Sequence, residues 1–291
     1  MSGLAPLAEL SSAIVELAAG AAPSIVEVAS QGSLASGFVW REGLIVTAEE
    51  TLAETGEVLV EFADGSQHQV SVVGRDPSTD IALLRIEGVA TRPAVLSQEP
   101  PRPGSLVVIA GAAESAPLVT FAAAIAIGPA WRSMRGGTID ARIELDVRLR
   151  RRAEGGLALD ASGQAIGMTV RGPRGRTLVI PSATIERVSA LLLEHGEIPR
   201  GYLGLALKEV AVSGGGRGAM AMSVDPEGPG AAAGIFQGDI ITGWDGKPLH
   251  GVHALLRALD HQSIGREIPL ALRRAGQDVE ASVTIGKRSR G

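Results

Sequence analysis

Apolar residues recur along the first two thirds of the chain in short aliphatic, β-branched runs, each closed by turn residues. The N-terminus is different: Leu10, Ile14 and Leu17 fall at helical spacing and Gly20 with Pro23 stops the run, so one short amphipathic helix is expected there. From Ser24 the period changes. Residues 25–29, 34–40, 44–47, 58–62, 70–74, 81–86 and 106–109 read as strands, with Asp64-Gly65 and Asp76-Pro77 among the turns between them. Strands at this spacing argue for a barrel or a sandwich. Residues 157–159 and 165–168 read as two more, joined by a turn over 160–163. The paired glycines 155 and 156 before them let the backbone turn where a Cβ would clash. Residues 186–195 read as a helix, and Pro199 with Arg200 marks a boundary before a second patterned region that includes a helix over 252–259.

Length and composition narrow this picture without redirecting it. At 291 residues the chain can hold two domains with separate cores. Apolar residues make up 45% of it but aromatic residues only 3%, so the cores must be built from Val, Ile, Leu and Ala, which suits many short strands. A net charge of -5 over this length makes no strong field and recommends neither nucleic acid nor an anionic membrane as partner. The absence of cysteine removes disulfides, a thiolate nucleophile and a thiolate metal site together. The N-terminal segment has no basic region, and Glu9, Glu16 and Pro23 interrupt its apolar stretches, so no membrane span is expected.

The stretch E-G-G-L-A-L-D-A-S-G-Q-A-I-G resembles the nucleophile loop and hairpin of the HtrA/Deg family, trypsin-like serine proteases that carry PDZ domains. The order S-G-F-V, G-L-I-V-T, D-G and V-V-G-R-D-P-S-T-D-I-A-L-L-R-I is similar to the family's first barrel, and L-V-I-P-S to the end of its second. R-G-Y-L-G-L, the segment ending P-G-A-A-A-G-I, and Q-G-D-I-I-T-G-W-D-G-K-P-L look like one PDZ domain. The resemblance implies a mainly β fold: an N-terminal helical segment (1–23), a two-barrel trypsin-like domain (24–198, its second barrel spanning 104–181) and a PDZ domain (200–287). In the family, the N-terminal segment assembles trimers through aromatic side chains. Residues 1–37 here contain none, so a homo-oligomer is left open.

A trypsin-like triad needs a histidine base, an aspartate that orients it and a serine nucleophile. On the resemblance, Glu50 falls on the histidine, Asp80 on the aspartate and Glu154 on the serine, while Arg152 falls on a glycine whose N–H helps build the oxyanion hole. His68 lies in a strand-forming run and His195 at the end of a helix, and neither is offered as a substitute base. Three carboxylates on one footprint repel, so at least one is expected to carry a raised pKa unless a cation compensates. Arg148, Arg150, Arg151 and Arg152 precede Glu154. The favoured reading is an arginine–glutamate network that plugs the cleft. The alternatives are a divalent ion held by Glu50, Asp80 and Glu154, and arginines that simply point into water. Two-carboxylate acid/base chemistry of the glycosidase type is a further formal option.

In the PDZ half, Tyr202, Leu203, Gly204 and Leu205 match the loop that captures a peptide's terminal carboxylate, and Val252, Leu255, Leu256 and Leu259 give one apolar helix face. The glycines at 214–216 read as a flexible turn and not a phosphate cradle. The expectation is therefore an HtrA-like pseudoprotease that binds peptide or protein C-termini through its PDZ domain as a scaffold or adaptor. An active serine endopeptidase, or a hydrolase with altered residues, is the alternative. No cofactor is implied. The location is cytoplasmic as the sequence is written, or periplasmic if its start has been trimmed.

Overall fold

The computed structural model describes residues 5–114, 116–212 and 215–287, in two compact units that divide after Ile198. In the first, helix α1 (Ala5–Ala21) leads into strands β1 (Ile25–Ser30), β2 (Ser33–Arg41), β3 (Leu44–Thr47), β4 (Val58–Phe62), β5 (Gln67–Asp76) and β6 (Ile81–Arg85), closed into an antiparallel barrel in the order β1-β2-β3-β6-β5-β4. A second barrel follows from β7 (Leu106–Ala113), β8 (Ala116–Gly128), a small pair β9 (Trp131–Arg132) and β10 (Thr138–Ile139) outside it, then β11 (Arg142–Leu145), β12 (Leu157–Leu159), β13 (Ala165–Arg171) and β14 (Thr177–Pro181). Helix α2 (Ser182–His195) closes the unit, ending at Gly196 in the left-handed conformation.

Strand alternation explains how the first unit supplies three core clusters. Val28, Val39, Ile45, Val60 and Leu84 fill the first barrel, and Val107, Ile109, Ile143 and Val179 fill the second. The alternate positions, Phe38, Val46, Leu83, Leu157, Met168 and Ile180 among them, form a shared layer with Ile185, Val188 and Leu192 of α2. The two barrels are thus packed as one body around the cleft described below.

Helix α1 is longer than the apolar spacing predicts. Ile14, Leu17 and Ala21 pack against the shared layer, and the helix lies along β7 and β8. Glu9 and Glu16 do not break the run as expected: the segment from Ala5 to Ser24 is long and apolar enough, by length and composition, to cross a membrane. Strand β8 is not among the strands read from the sequence: its second half is Ala-rich, with little β propensity. Register against β7 and β11 decides it.

The second unit holds β15 (Gly201–Tyr202), β16 (Leu205–Ala211), β17 (Arg217–Val224), α3 (Pro229–Ala232), β18 (Ile240–Trp244), β19 (Lys247–Pro248), α4 (Val252–Ala258), β20 (Glu267–Arg274), β21 (Gln277–Thr284) and β22 (Gly286–Lys287). Its main sheet runs β16-β17-β18-β20-β21, so β16 has a neighbour on one side only. Leu203, Ile241, Leu255, Ile268 and Val283 form its separate core. Gly214, expected in a flexible turn, lies outside the described residues; Gly215 and Gly216 both have positive φ, consistent with a turn.

Candidate functional site

The three positions that the resemblance singles out converge. Carboxylate oxygens of Glu50, Asp80 and Glu154 lie within 4.8 Å of one another, and Glu50 and Asp80 line a cleft of about 330 Å³. Each arrives from a different element. Glu50 sits on the single helical turn after β3, Asp80 on the loop before β6 with φ 59°, and Glu154 after a turn at Arg151–Ala153. The Glu50 N–H donates to Asp80 Oδ1 at 2.8 Å and the Glu49 N–H to the Asp80 carbonyl at 3.3 Å, which fixes the aspartate against the turn. Glu50 is exposed and Asp80 half-buried, whereas Glu154 is 0% exposed.

A carboxylate with no access to water needs a partner. Glu154 has Arg171, whose Nε donates to Oε2 at 2.8 Å and whose N–H donates to Oε1 at 3.2 Å. Burial nevertheless pushes the Glu154 pKa up, and a hydrogen bond with the Glu50 carboxyl pushes it further, against the pull of Arg171. Asp80 is pushed up to about 7, chiefly by burial and then by the Glu50, Glu154 and Glu49 carboxylates, with the Glu50 N–H opposing. Protons and one guanidinium therefore hold the cluster together. An ion is geometrically admissible but not required.

The arginines expected to plug the cleft do not reach it. Arg152 turns away to Glu114 at 2.9 Å and Glu27 at 3.7 Å, and Arg148, Arg150 and Arg151 are exposed. The compensating cation is Arg171, which the sequence reading missed. Its position was legible in the hairpin register. Leu157 pairs with Met168 and Ala158 with Gly167, and carrying that register back three residues sets 154 opposite 171.

The loop bearing Glu154 is fastened at several points. The Ser36 N–H donates to the Glu154 carbonyl at 2.8 Å and the Ser36 hydroxyl to the Arg152 carbonyl, while the Thr169 hydroxyl donates to the Ala153 carbonyl at 2.8 Å. Gly155 has φ 83°, and a Cβ there would collide with the Ser36 carbonyl. The Glu154 N–H is spent inside the turn, on the Arg151 carbonyl at 3.1 Å. His68 stands edge-on to Phe62, at 5.9 Å between ring centroids, and His195 lies 3.6 Å from Glu194; neither lines the cleft.

In the second unit, Gly204 sits at φ 71° between Leu203, a core residue, and Leu205, the first residue of β16. The Gly204 carbonyl accepts from the Asp225 N–H at 2.8 Å, and the Tyr202 hydroxyl donates to the Asp225 carboxylate at 2.9 Å. Helix α4 lies against β16, with Leu255 buried and Leu256 exposed.

A family model described as trypsin-like peptidase domain matches residues 35–168, and one described as PDZ domain matches residues 201–285. The chain is 30% identical over 268 residues to a probable periplasmic serine endoprotease DegP-like of Brucella suis, covering 86% of this chain and 52% of that protein. The chain thus joins a trypsin-like peptidase domain to a PDZ domain and is similar to proteases of the HtrA/DegP family. It is also 27% identical to the periplasmic pH-dependent serine endoprotease DegQ of Escherichia coli, over 84% of this chain and 57% of that one. The solved serine endoprotease from Yersinia pestis superposes with a TM-score of 0.72 at 25% identity, covering 95% of this chain and 98% of that one. The chain spans about half the length of the curated relatives it matches. The mainly β, two-barrel-plus-PDZ architecture is that of solved HtrA structures. These relatives are named as periplasmic, and the cytoplasmic location expected from the sequence finds no support.

Proposed function

We propose that this protein is a catalytically silent HtrA-type protein that acts by binding polypeptide, as a scaffold or adaptor in an extracytoplasmic compartment. One observation carries the reading: the three triad positions are occupied by Glu50, Asp80 and Glu154, whose carboxylates converge, so the histidine and serine positions hold neither an imidazole nor a hydroxyl. Peptide hydrolysis by this fold needs a base that accepts the nucleophile's proton and a nucleophile whose acyl derivative water can resolve. A buried glutamate paired to Arg171 supplies neither role. The N–H that would stabilise an oxyanion at position 154 is already donated to the Arg151 carbonyl. Fluorophosphonate probes should therefore label no serine of residues 24–195, and casein should remain intact. Labelling there would restore the alternative, an active endopeptidase like the relatives. Glu154→Ser alone should yield no hydrolysis, because Glu50 still offers no imidazole.

Binding is assigned to the PDZ unit, at Tyr202, Leu203, Gly204 and Leu205 beside the unpaired edge of β16. Support comes from the single-neighbour position of that strand, the positive φ of Gly204 that lets the loop close on a ligand, and α4 lying along the same strand. A peptide with an apolar last residue and a free carboxylate should bind the full chain at about micromolar Kd, and its amidated form more weakly. Equal affinities in calorimetry would remove terminal-carboxylate recognition.

A further inference from the structure

Among the described residues, four arginines near the cleft have no partner. Arg148, Arg150 and Arg151 lie on the loop between β11 and β12, and Arg174 on the loop between β13 and β14; all four are exposed. The loops are neighbours in space: the Thr177 hydroxyl donates to the Val147 carbonyl, Leu145 pairs with Thr177, and the Arg148 guanidinium lies beside Gly175. The carboxylates of these strands and loops make contacts with other groups, none of them with these four arginines. Glu144 accepts from both Arg142 and Arg176, at 3.0 and 3.1 Å, Glu154 holds Arg171, and Asp146 accepts the Ala123 N–H at 2.7 Å. A chain of net charge -5 thus concentrates unpaired positive charge on one surface.

That surface is continuous with the cleft, since Arg171, Gly172 and Pro173 line the cleft and lead directly into Arg174. Apolar side chains also line the cleft, among them Trp131, Ile139, Val170, Leu178 and Ile180. We propose that the loops carrying Arg148, Arg150, Arg151 and Arg174 bind an acidic stretch of an extended polypeptide whose apolar residues enter the adjoining cleft. The inference rests on the polypeptide-binding reading above and names the chemistry of one ligand. A polypeptide fits better than a phosphate-rich polymer because the guanidiniums are spread along two loops and do not converge on a point, the neighbouring cleft presents apolar side chains, and the chain's overall charge repels an extended polyanion.

The test is fluorescence anisotropy on the full chain with a labelled peptide alternating Glu and Leu and blocked at both ends, so that no terminal carboxylate is available to the PDZ unit. A Gln–Leu peptide, inorganic tripolyphosphate as competitor and a short DNA duplex complete the set. The Glu–Leu peptide should bind at least about tenfold more tightly than the Gln–Leu peptide, with an advantage that shrinks as salt rises. Arg148→Ser/Arg174→Ser should remove that advantage without changing the melting temperature, both side chains being exposed and unpartnered. Arg148→Glu/Arg174→Glu should instead favour a Lys–Leu peptide. Equal binding of the Glu and Gln peptides, or an advantage that survives the double variant, overturns the proposal, as does a duplex that binds more tightly than the peptide. Mass spectrometry of the same samples separates the two readings: a cleaved peptide defeats the silent-cleft reading alone, and an intact, unbound one defeats the acidic-ligand reading alone.

Discussion

Replacing Asp80 by Asn should stabilise the two-barrel unit at pH 8 by about 2–4 kcal/mol and change little at pH 4. The folded-state pKa of Asp80 is about 7, raised mainly by burial and secondarily by the carboxylates around it. An unfolded aspartate titrates near 3.9, so between about pH 4 and pH 7 the folded state holds a proton that the unfolded state has released. Stability then falls as pH rises across that window and levels off above it. Asparagine stays neutral at every pH and keeps an oxygen to accept the Glu50 N–H, so the variant should lose this part of the slope. Denaturant midpoints of the two-barrel transition at pH 4, 6 and 8 provide the measurement. Parallel pH profiles for the two proteins would show that the Asp80 carboxyl is ionised in the folded state.

The sequence was most informative where local chemistry fixes the backbone. Strands 44–47, 58–62 and 157–159 appear with the bounds their patterns suggest, because short apolar runs closed by turn residues, β-branched in the first two, leave few other options. The convergence of Glu50, Asp80 and Glu154 was implied by the resemblance to the HtrA/Deg triad motifs, which lie in three separate segments. The direction of the arginines did not. Arg152 stands two residues from Glu154, yet successive residues of a tight turn point apart, and Glu27 with Glu114 draws its guanidinium to the other side. Arg171 is 17 residues away in sequence and opposite in the sheet, where cross-strand register, not proximity along the chain, sets the contact. Strand β8 was missed for a related reason: the alanines of its second half disfavour a strand in isolation and are held by two neighbouring strands.

Arg171→Met is expected to destabilise the two-barrel unit by about 2–4 kcal/mol at pH 8, below the full range for removing one partner of a buried ion pair because the guanidinium is half exposed. Glu154 is fully enclosed and receives two hydrogen bonds from Arg171, one from the backbone that survives the substitution and one from the guanidinium that does not. Without the guanidinium, the carboxyl must stay desolvated and charged, or take a proton at a pH where it would otherwise ionise. The penalty should therefore shrink as the pH is lowered, because protonation removes the uncompensated charge. Arg171 itself is partly exposed, so loss of its own packing is a small part of the effect. The double variant Glu154→Gln/Arg171→Met separates the terms: a neutral amide needs no counter-charge and can still accept the Arg171 position's N–H. Its stability at pH 8 should return to within about 1–2 kcal/mol of the parent. If Arg171→Met alone melts with the parent at pH 8, Glu154 is neutral in the native protein and a proton shared with Glu50, not the arginine, holds the cluster shut.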